Sequence, residues 1–434
     1  MVKNVCVVGT GYVGLVTGTC ISDFGLNVTC VDNDKKKIDI LNRGVCPIYE
    51  LGLEELIRRN QAKERLEFST NLKEAVVQAD VIFLAVGTPP GRDGYPDTTA
   101  LEKAAIQMAG YLNNYKVITN KSTAPVGTAR RLKQLIKENS RRGVKFDVVA
   151  NPEFLREGSS VEDFMRPDRV ILGSDSQKAL KIMKEIYRPL YLIETPFVLT
   201  NWESAELIKY ATNCYLAAKI SFINEMANLC ERIGADVQVV AKALGLDKRI
   251  GPKFLHAGAG FGGSCLPKDL VGLNKISEKM DYRFRIGEAA LEVNQERREV
   301  IISKVKELIG DPKGKRIGVL GLSFKPSTDD IREAPAINVI KRLMAQGARV
   351  QAYDPAGMKS AQKVLKGISF ASDAYDCAKN ADCLLLVTEW NEFRDLNLES
   401  IKKLMKSPNL VDARNVYEPG KVKRLGFAYT SIGR

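Results

Sequence analysis

Val5-Cys6-Val7-Val8-Gly9-Thr10-Gly11-Tyr12-Val13-Gly14, continued by an apolar stretch through Phe24 and then by Val28-Thr29-Cys30-Val31-Asp32, decides the fold of this chain. An apolar strand runs into a GxGxxG turn, a helix follows, and a second strand ends on an acid about 20 residues later, the arrangement of a dinucleotide-binding βαβ unit. The glycines let a pyrophosphate reach the helix N-terminus, where unsatisfied N–H groups and the helix dipole favour negative charge. Asp32 can accept hydrogen bonds from ribose hydroxyls and repels a 2′-phosphate, so the unit predicts an NAD site. The basic run Lys35-Lys36-Lys37 directly after it pulls the other way.

Further parallel strands are expected at Val81 to Val86, ending in Gly87-Thr88-Pro89-Pro90, at Val117 to Thr119, ending in Lys121-Ser122-Thr123, and at Val148 to Ala150, which leads into Asn151-Pro152-Glu153-Phe154-Leu155-Arg156-Glu157-Gly158. Ligands of open parallel sheets bind at the carboxyl ends of the strands, where these turns lie. Trp202 to Ile233 holds no proline or glycine and repeats apolar residues at helical spacing before Gly234, so one long helix is expected, with Lys209 and Asn213 on the same face. After Lys315 the first pattern recurs: Ile317-Gly318-Val319-Leu320-Gly321, a helix from about Ala336 to Met344, then Val350 to Asp354. Ala381-Asp382-Cys383-Leu384-Leu385 even echoes Ala79-Asp80-Val81-Ile82-Phe83. The expected fold is α/β, with two Rossmann-like doubly wound parallel-sheet domains joined by a long central helix. Its divisions are an NAD-binding domain over 1–196, a central helical domain over 197–300 and a second Rossmann-like domain over 301–434. The second sheet lacks the full glycine fingerprint and suits a different nucleotide.

With 434 residues the chain exceeds one ordinary core. Its formal charge of +13 suits phosphate-bearing ligands, and its basic residues are mixed with acids on amphipathic stretches without an aromatic-basic cluster, so neither nucleic acid nor membrane is expected as a partner. Met1 leads straight into the first strand, no basic leader or spanning segment is expected, and the nine cysteines form no CxxC pair or disulfide spacing, which points to a reducing cytoplasm. His256 is the single histidine, so no metal site is expected and acid–base work falls to lysines and carboxylates.

One of the cysteines stands apart. Cys265 lies in Gly260-Phe261-Gly262-Gly263-Ser264-Cys265-Leu266-Pro267-Lys268-Asp269. The glycines let backbone and a flat ligand approach the sulfur, Lys268 can favour a thiolate, and Asp269 is a candidate base for a water. Together with a dinucleotide fingerprint, this reads as a dehydrogenase that also forms a thioester.

These motifs, with Asn151 to Gly158 and Gly321 to Glu333, resemble the UDP-glucose/GDP-mannose dehydrogenase family over essentially the whole chain. The resemblance implies four-electron oxidation of a sugar C6 alcohol to a carboxylate with two NAD, through a thiohemiacetal and a thioester on Cys265. It places Lys209 and Asn213 against the C6 oxygen, with Asp269, Thr123 and Glu153 in proton transfer and hydrolysis. It assigns the substrate to Phe154, Leu155, Glu157, Lys209, Asn213, Phe254, Phe261, Gly262, Phe324, Lys325 and Arg414, with Arg249 reaching the diphosphate of a neighbouring subunit of a homodimer. It assigns the cofactor to Gly9, Gly11, Tyr12, Val13, Gly14, Asp32, Lys37, Thr88, Pro89, Ser122, Thr123, Glu157, Lys268 and Arg332.

Ser264 and Lys268 differ from relatives that use UDP-N-acetylmannosamine, and Ala259-Gly260-Phe261 differs from the GDP-mannose type. UDP-glucose is therefore the expected substrate, giving UDP-glucuronate. The alternatives are a GDP-mannose or UDP-N-acetylhexosamine dehydrogenase, or a two-electron hydroxyacid dehydrogenase with an inert Cys265. Asp32 makes a direct prediction: kcat/KM measured with NAD should far exceed that with NADP, and equal values would remove Asp32 as the selector.

Overall fold

The computed structural model describes residues 2–434, in a first compact unit that ends at Thr212 and a second from Asn213 to Arg434. The first holds an eight-stranded sheet of β1 (Asn4–Val8), β2 (Asn27–Val31), β3 (Leu66–Ser69), β4 (Val81–Leu84), β5 (Lys116–Asn120), β6 (Phe146–Ala150), β7 (Val170–Gly173) and β8 (Phe197–Thr200). Their order is β3-β2-β1-β4-β5-β6-β7-β8, parallel throughout except where β6 meets β7. In the second unit β9 (Arg316–Leu320), β10 (Arg349–Tyr353), β11 (Ser369–Phe370), β12 (Cys383–Leu386), β13 (Asn409–Asp412) and β14 (Ala428–Ser431) form an all-parallel sheet ordered β11-β10-β9-β12-β13-β14. Both sheets follow the doubly wound 3-2-1-4-5-6 order, so the expected pair of Rossmann-like folds and the long helix are present.

Helices on both faces explain why the inner strands are apolar without alternation. Val5 and Val7 of β1 enter one core cluster with Leu15 and Ile21, while Cys6 and Val8 enter the other with Ile82 and Met108. The side-chain period of two thus feeds two cores from one strand. β12 repeats this, Cys383 and Leu385 packing with Ile301 and Leu343, and Leu384 and Leu386 with Phe393 and Leu410.

The sequence echo is also an echo of hydrogen bonds. Asp80 accepts the Lys3 and Asn4 backbone N–H groups at 2.9 and 3.1 Å, and Asp382 accepts that of Arg316 at 2.9 Å, each carboxylate fastening the start of its first strand. The apolar run from Val81 is strand only to Leu84, because the Val86 carbonyl is taken by the Ser122 hydroxyl at 2.6 Å instead of by a neighbouring strand.

The central helix runs from Trp202 to Ile233. Gly234 then takes φ +76°, and the Ala235 N–H reaches back to the Cys230 carbonyl at 3.0 Å, a left-handed C-terminal cap that satisfies an otherwise orphaned acceptor. No helix among the described residues is long and apolar enough to cross a membrane.

Candidate active site

At the carboxyl end of β1, Gly9 turns with φ +101°, and a Cβ on Gly14 would stand 1.9 Å from the Gly9 carbonyl oxygen. Only glycine at position 14 lets the helix Tyr12–Asp23 close onto the strand end, while Gly11 faces no atom within 4 Å and leaves its N–H side open. Such a cradle fits a pyrophosphate. At the end of β2, Asp32 Oδ2 accepts the Thr10 N–H and hydroxyl at 2.9 and 2.7 Å and the Lys37 ammonium at 3.1 Å, and Oδ1 accepts the Asp34 N–H at 3.0 Å. Burial opposes ionisation of this carboxyl, but those bonds outweigh it and hold its pKa at about 2. This acid, at the end of β2, is therefore fixed and charged. Lys37, third in the helix after Asp34 caps it, contributes here by neutralising Asp32.

Tyr12 donates its hydroxyl to Glu50, which also accepts the Gly158 and Ser160 N–H groups at 2.7 and 2.8 Å. Burial and Glu50 push the Tyr12 phenol above its ordinary range. Glu50 so ties the glycine turn to the segment that carries Glu157, a role with no signal in the sequence, where it is one acid in an irregular stretch. Beyond β4 and β5, the Thr88 hydroxyl donates to the Thr123 carbonyl and Ser122 to Val86, so Thr88, Ser122 and Thr123 meet, with Pro89 exposed beside them.

A buried polar cluster follows β5 and β6. Lys209 Nζ lies 2.8 Å from Glu153 Oε1, with side-chain exposures of 4% and 5%. Glu153 Oε2 accepts the Leu155 N–H at 2.5 Å, and the Lys209 ammonium stands 5.5 Å from the centre of the Phe154 ring. Burial would raise the Glu153 pKa, yet Lys209 and the Leu155 N–H hold it below the ordinary value. Lys121, which the sequence marks only as a turn residue, reaches Asn151 Oδ1 at 3.1 Å and the Tyr187 hydroxyl at 3.4 Å. Burial lowers its pKa to about 8 despite Glu153 nearby, Lys209 adding to the fall.

In the second unit, Cys265 sits at the N-terminus of the helix Leu266–Glu278. The glycine loop before it is pressed between other elements: a Cβ on Gly262 would stand 2.4 Å from the Glu333 carbonyl oxygen, and one on Gly263, at φ +84°, 2.8 Å from the Phe324 ring. The Gly263 N–H donates to the Arg332 carbonyl at 2.8 Å. Phe261, Gly262, Phe324 and the Arg332 backbone are thereby gathered near the thiol. Asp269 is 1% exposed, and both of its oxygens are held, one by the Lys268 ammonium and one by the Asn213 amide, each at 2.6 Å. Lys268 thus rests on the nearest full negative charge. Ser264 Oγ lies 3.5 Å from Cys265 Sγ.

Arg414 bonds the Val387 carbonyl at 2.7 Å and the Phe324 carbonyl at 3.1 Å, joining the carboxyl ends of β12 and β9, and the Lys325 ammonium stands 5.7 Å from the Phe324 ring. Asp354, the counterpart of Asp32, is spent internally: its carboxylate takes the Leu322, Ser323, Ala356 and Gly357 N–H groups and the Trp390 indole. Two expected residues stay apart from this group. Arg249 is 88% exposed on Asp247, and the Arg332 guanidinium is 65% exposed on Asp330. Phe254 adopts φ +65°, a left-handed conformation that non-glycine residues rarely take.

Residues 3–191 match the NAD binding domain of the UDP-glucose/GDP-mannose dehydrogenase family, residues 203–296 its central domain and residues 318–419 its UDP binding domain. The chain belongs to this dehydrogenase family. It is 49% identical to the UDP-glucose 6-dehydrogenase of Rhizobium meliloti, over 99% of both chains, and 46% identical to UDP-glucose 6-dehydrogenase TuaD of Bacillus subtilis, over 100% of this chain and 93% of that one. Its fold matches a UDP-glucose dehydrogenase of Pyrobaculum islandicum with a TM-score of 0.92 at 36% identity, covering 99% and 97% of the two chains. A UDP-D-ManNAc dehydrogenase of Pyrococcus horikoshii matches with a TM-score of 0.88 at 27% identity, covering 100% and 99%. As a member of the family, the chain is an NAD-dependent oxidoreductase whose first sheet carries the NAD domain and whose second carries the UDP domain.

The Lys121 ammonium yields a prediction in pH. Its pKa falls from 10.5 to about 8 on folding, so the unfolded chain holds the proton more tightly, and stability rises between pH 8 and 10.5 and is lost as pH drops through 8. Such a fall is worth about 3 kcal/mol. In chemical denaturation at a series of pH values, the stability of the native chain minus that of Lys121→Met should climb across this window. Parallel curves would show that Lys121 is not buried as a cation.

Proposed function

We propose that this chain oxidises the C6 alcohol of UDP-glucose to the carboxylate of UDP-glucuronate. The observation that carries the reading is Cys265 at a helix N-terminus, with Asp269 held by Asn213 and Lys268 one turn further on. Bound NAD supplies hydride acceptance, once per oxidation. In the first oxidation the C6 hydroxyl loses its proton and C6 its hydride, giving an aldehyde. The Cys265 sulfur then adds to that carbon, a proton passing to the former carbonyl oxygen, and the thiohemiacetal loses a second hydride and its hydroxyl proton to become a thioester. Water cleaves the thioester, releasing the carboxylate and restoring the thiol.

The Lys209 ammonium and the Asn213 amide, one turn apart on the central helix, suit the oxygen that carries developing negative charge, and Asp269 suits deprotonation of the water. Glu153 holds Lys209 in place. Thr123 lines the same chemistry. Phe154, Leu155, Glu157, Phe254, Phe261, Gly262, Phe324, Lys325 and Arg414 take the sugar nucleotide. Gly9 to Gly14, Asp32, Lys37, Thr88, Pro89, Ser122, Lys268 and Arg332 take the cofactor. The domain divisions 1–196, 197–300 and 301–434 follow these roles. Nine free cysteines, among them several buried, favour a reducing cytoplasm.

Absorbance of reduced nicotinamide tests the reading: two NADH should form per UDP-glucose. One would indicate an ordinary two-electron dehydrogenase, and none a different substrate. Cys265→Ser should stall after the first steps, and turnover of that variant near the native rate would remove the thioester.

The chain is also proposed to work as a homodimer through the central helix. Tyr215, Phe222 and Leu229 recur every seven residues at 64, 49 and 47% exposure, an apolar stripe that a second copy would cover, with Arg249 of each copy serving the other's diphosphate. Sedimentation should give a dimer that Tyr215→Glu with Phe222→Glu converts to monomer. An active monomeric native chain would overturn the assignment.

A further inference from the structure

The backbone from Ala257 to Gly263 is buried and irregular, so its polar groups need partners that no ladder supplies. Three side chains provide them. Asn294 accepts the Phe261 N–H at 2.8 Å and donates back to the Phe261 carbonyl at 3.1 Å, a reciprocal pair that fixes the peptide planes on both sides of Phe261. Asn224 accepts the Gly258 N–H at 2.8 Å, and Arg297 Nε donates to the Gly258 carbonyl at 3.1 Å. Asn224 comes from the central helix and the other two from the helix Arg285–Ile309, and all three are at most 4% exposed.

The fit is tight. A Cβ on Gly260 would stand 2.4 Å from Asn294 Oδ1, and one on Gly258 2.8 Å from the Ala413 carbonyl oxygen, beside Arg414. The arrangement is also a poor way to build a stable core. Asn224 Nδ2 and Arg297 Nη2 are buried without a hydrogen-bond partner among the described residues, so pairing the Gly258 backbone with these side chains leaves an unsatisfied donor on each of them. Polar groups kept at such a cost point to geometry as what they supply.

We infer that Asn294, assisted by Asn224 and Arg297, is the positioning residue that sets the cysteine loop, fixing where the Cys265 sulfur stands relative to the Arg414 end of β13. This rests on the proposed role of Cys265. Phe261 is four residues before the thiol, and a misplacement of about 1 Å at a reacting atom can cost on the order of 100-fold in rate.

The test uses the full chain as Asn294→Leu and Asn294→Asp. Asn294→Leu removes both bonds, so kcat should fall about 100-fold with KM for NAD unchanged, and the rate at which iodoacetamide alkylates Cys265, followed by mass spectrometry, should shift severalfold. Asn294→Asp turns an ionised oxygen toward the Phe261 carbonyl, which raises its pKa, while the protonated acid can both accept and donate as asparagine does. Measured where circular dichroism shows both chains fully folded, its kcat deficit against the native chain should therefore shrink as pH falls from 8 to 6, a rescue that stability alone would not produce. This variant decides the matter if Asn294→Leu does not fold. A native alkylation rate in folded Asn294→Leu, or a pH-independent deficit in Asn294→Asp, overturns the inference. Native turnover by Cys265→Ser, alongside an altered alkylation rate in Asn294→Leu, would instead sink the role of Cys265 and leave the clamp standing.

Discussion

A parallel sheet covered by helices on both faces leaves little room inside its layers for a charge, and that constraint organises both units. The few charges that do lie within inner strands are tied up, as Lys116 is on the Val77 and Ala79 carbonyls, and other polar side chains collect where the strands stop. Thr88 follows β4, Lys121, Ser122 and Thr123 follow β5, and Glu153 follows β6. Arg414 follows β13, and its guanidinium is held by the carbonyls left over past β12 and β9. The chemistry sits at one edge of each sheet because burial excludes it elsewhere.

The two sheets share one strand order, and the acid that ends the second strand of each is used differently. Asp32 and Asp354 both end the second strand of their sheet and both bond the turn after the first. Asp32 accepts two backbone N–H groups, the Thr10 hydroxyl and a half-buried lysine, and it stands beside a glycine, Gly11, with no atom in reach of its missing side chain. Asp354 is enclosed, its oxygens consumed by four backbone N–H groups and an indole. An acid so engaged cannot also receive ribose hydroxyls. The second sheet, which carries the UDP binding domain, therefore lacks a free acid at the position that Asp32 holds in the first.

Much of this was legible in the residues. The strand–turn–helix–strand periodicity and its repeat after Lys315 are local patterns, and the glycines of the Gly9 and Cys265 loops mark places where backbones touch. The two doubly wound sheets and the long helix follow from them, whereas Asn213 as a site residue came only from the family resemblance. Glu50, Lys121 and Asn294 were not legible, because each is defined by a partner far along the chain: Gly158, Asn151 and Tyr187, and Phe261 respectively. A single acid, a turn lysine or an asparagine in a charged helix has the same local signature whether it is solvated or buried. Arg249 shows the converse, a residue whose expected role needs a second copy and which by itself forms only a surface pair with Asp247.

The charge balance of the two buried clusters separates their tasks. Asp269 is matched by one lysine and an amide, so that group is neutral with its carboxylate held in place. Lys121, Glu153 and Lys209, all at most 5% exposed, carry two lysines against one glutamate. A surplus positive charge in a dry site is costly unless a negative charge arrives to meet it, and of the two lysines it is Lys121, without a direct carboxylate bond, whose proton is loosened. Lys209 lies 2.8 Å from Glu153. In the proposed reaction, an ammonium held on a fixed partner needs no rearrangement when the oxyanion forms.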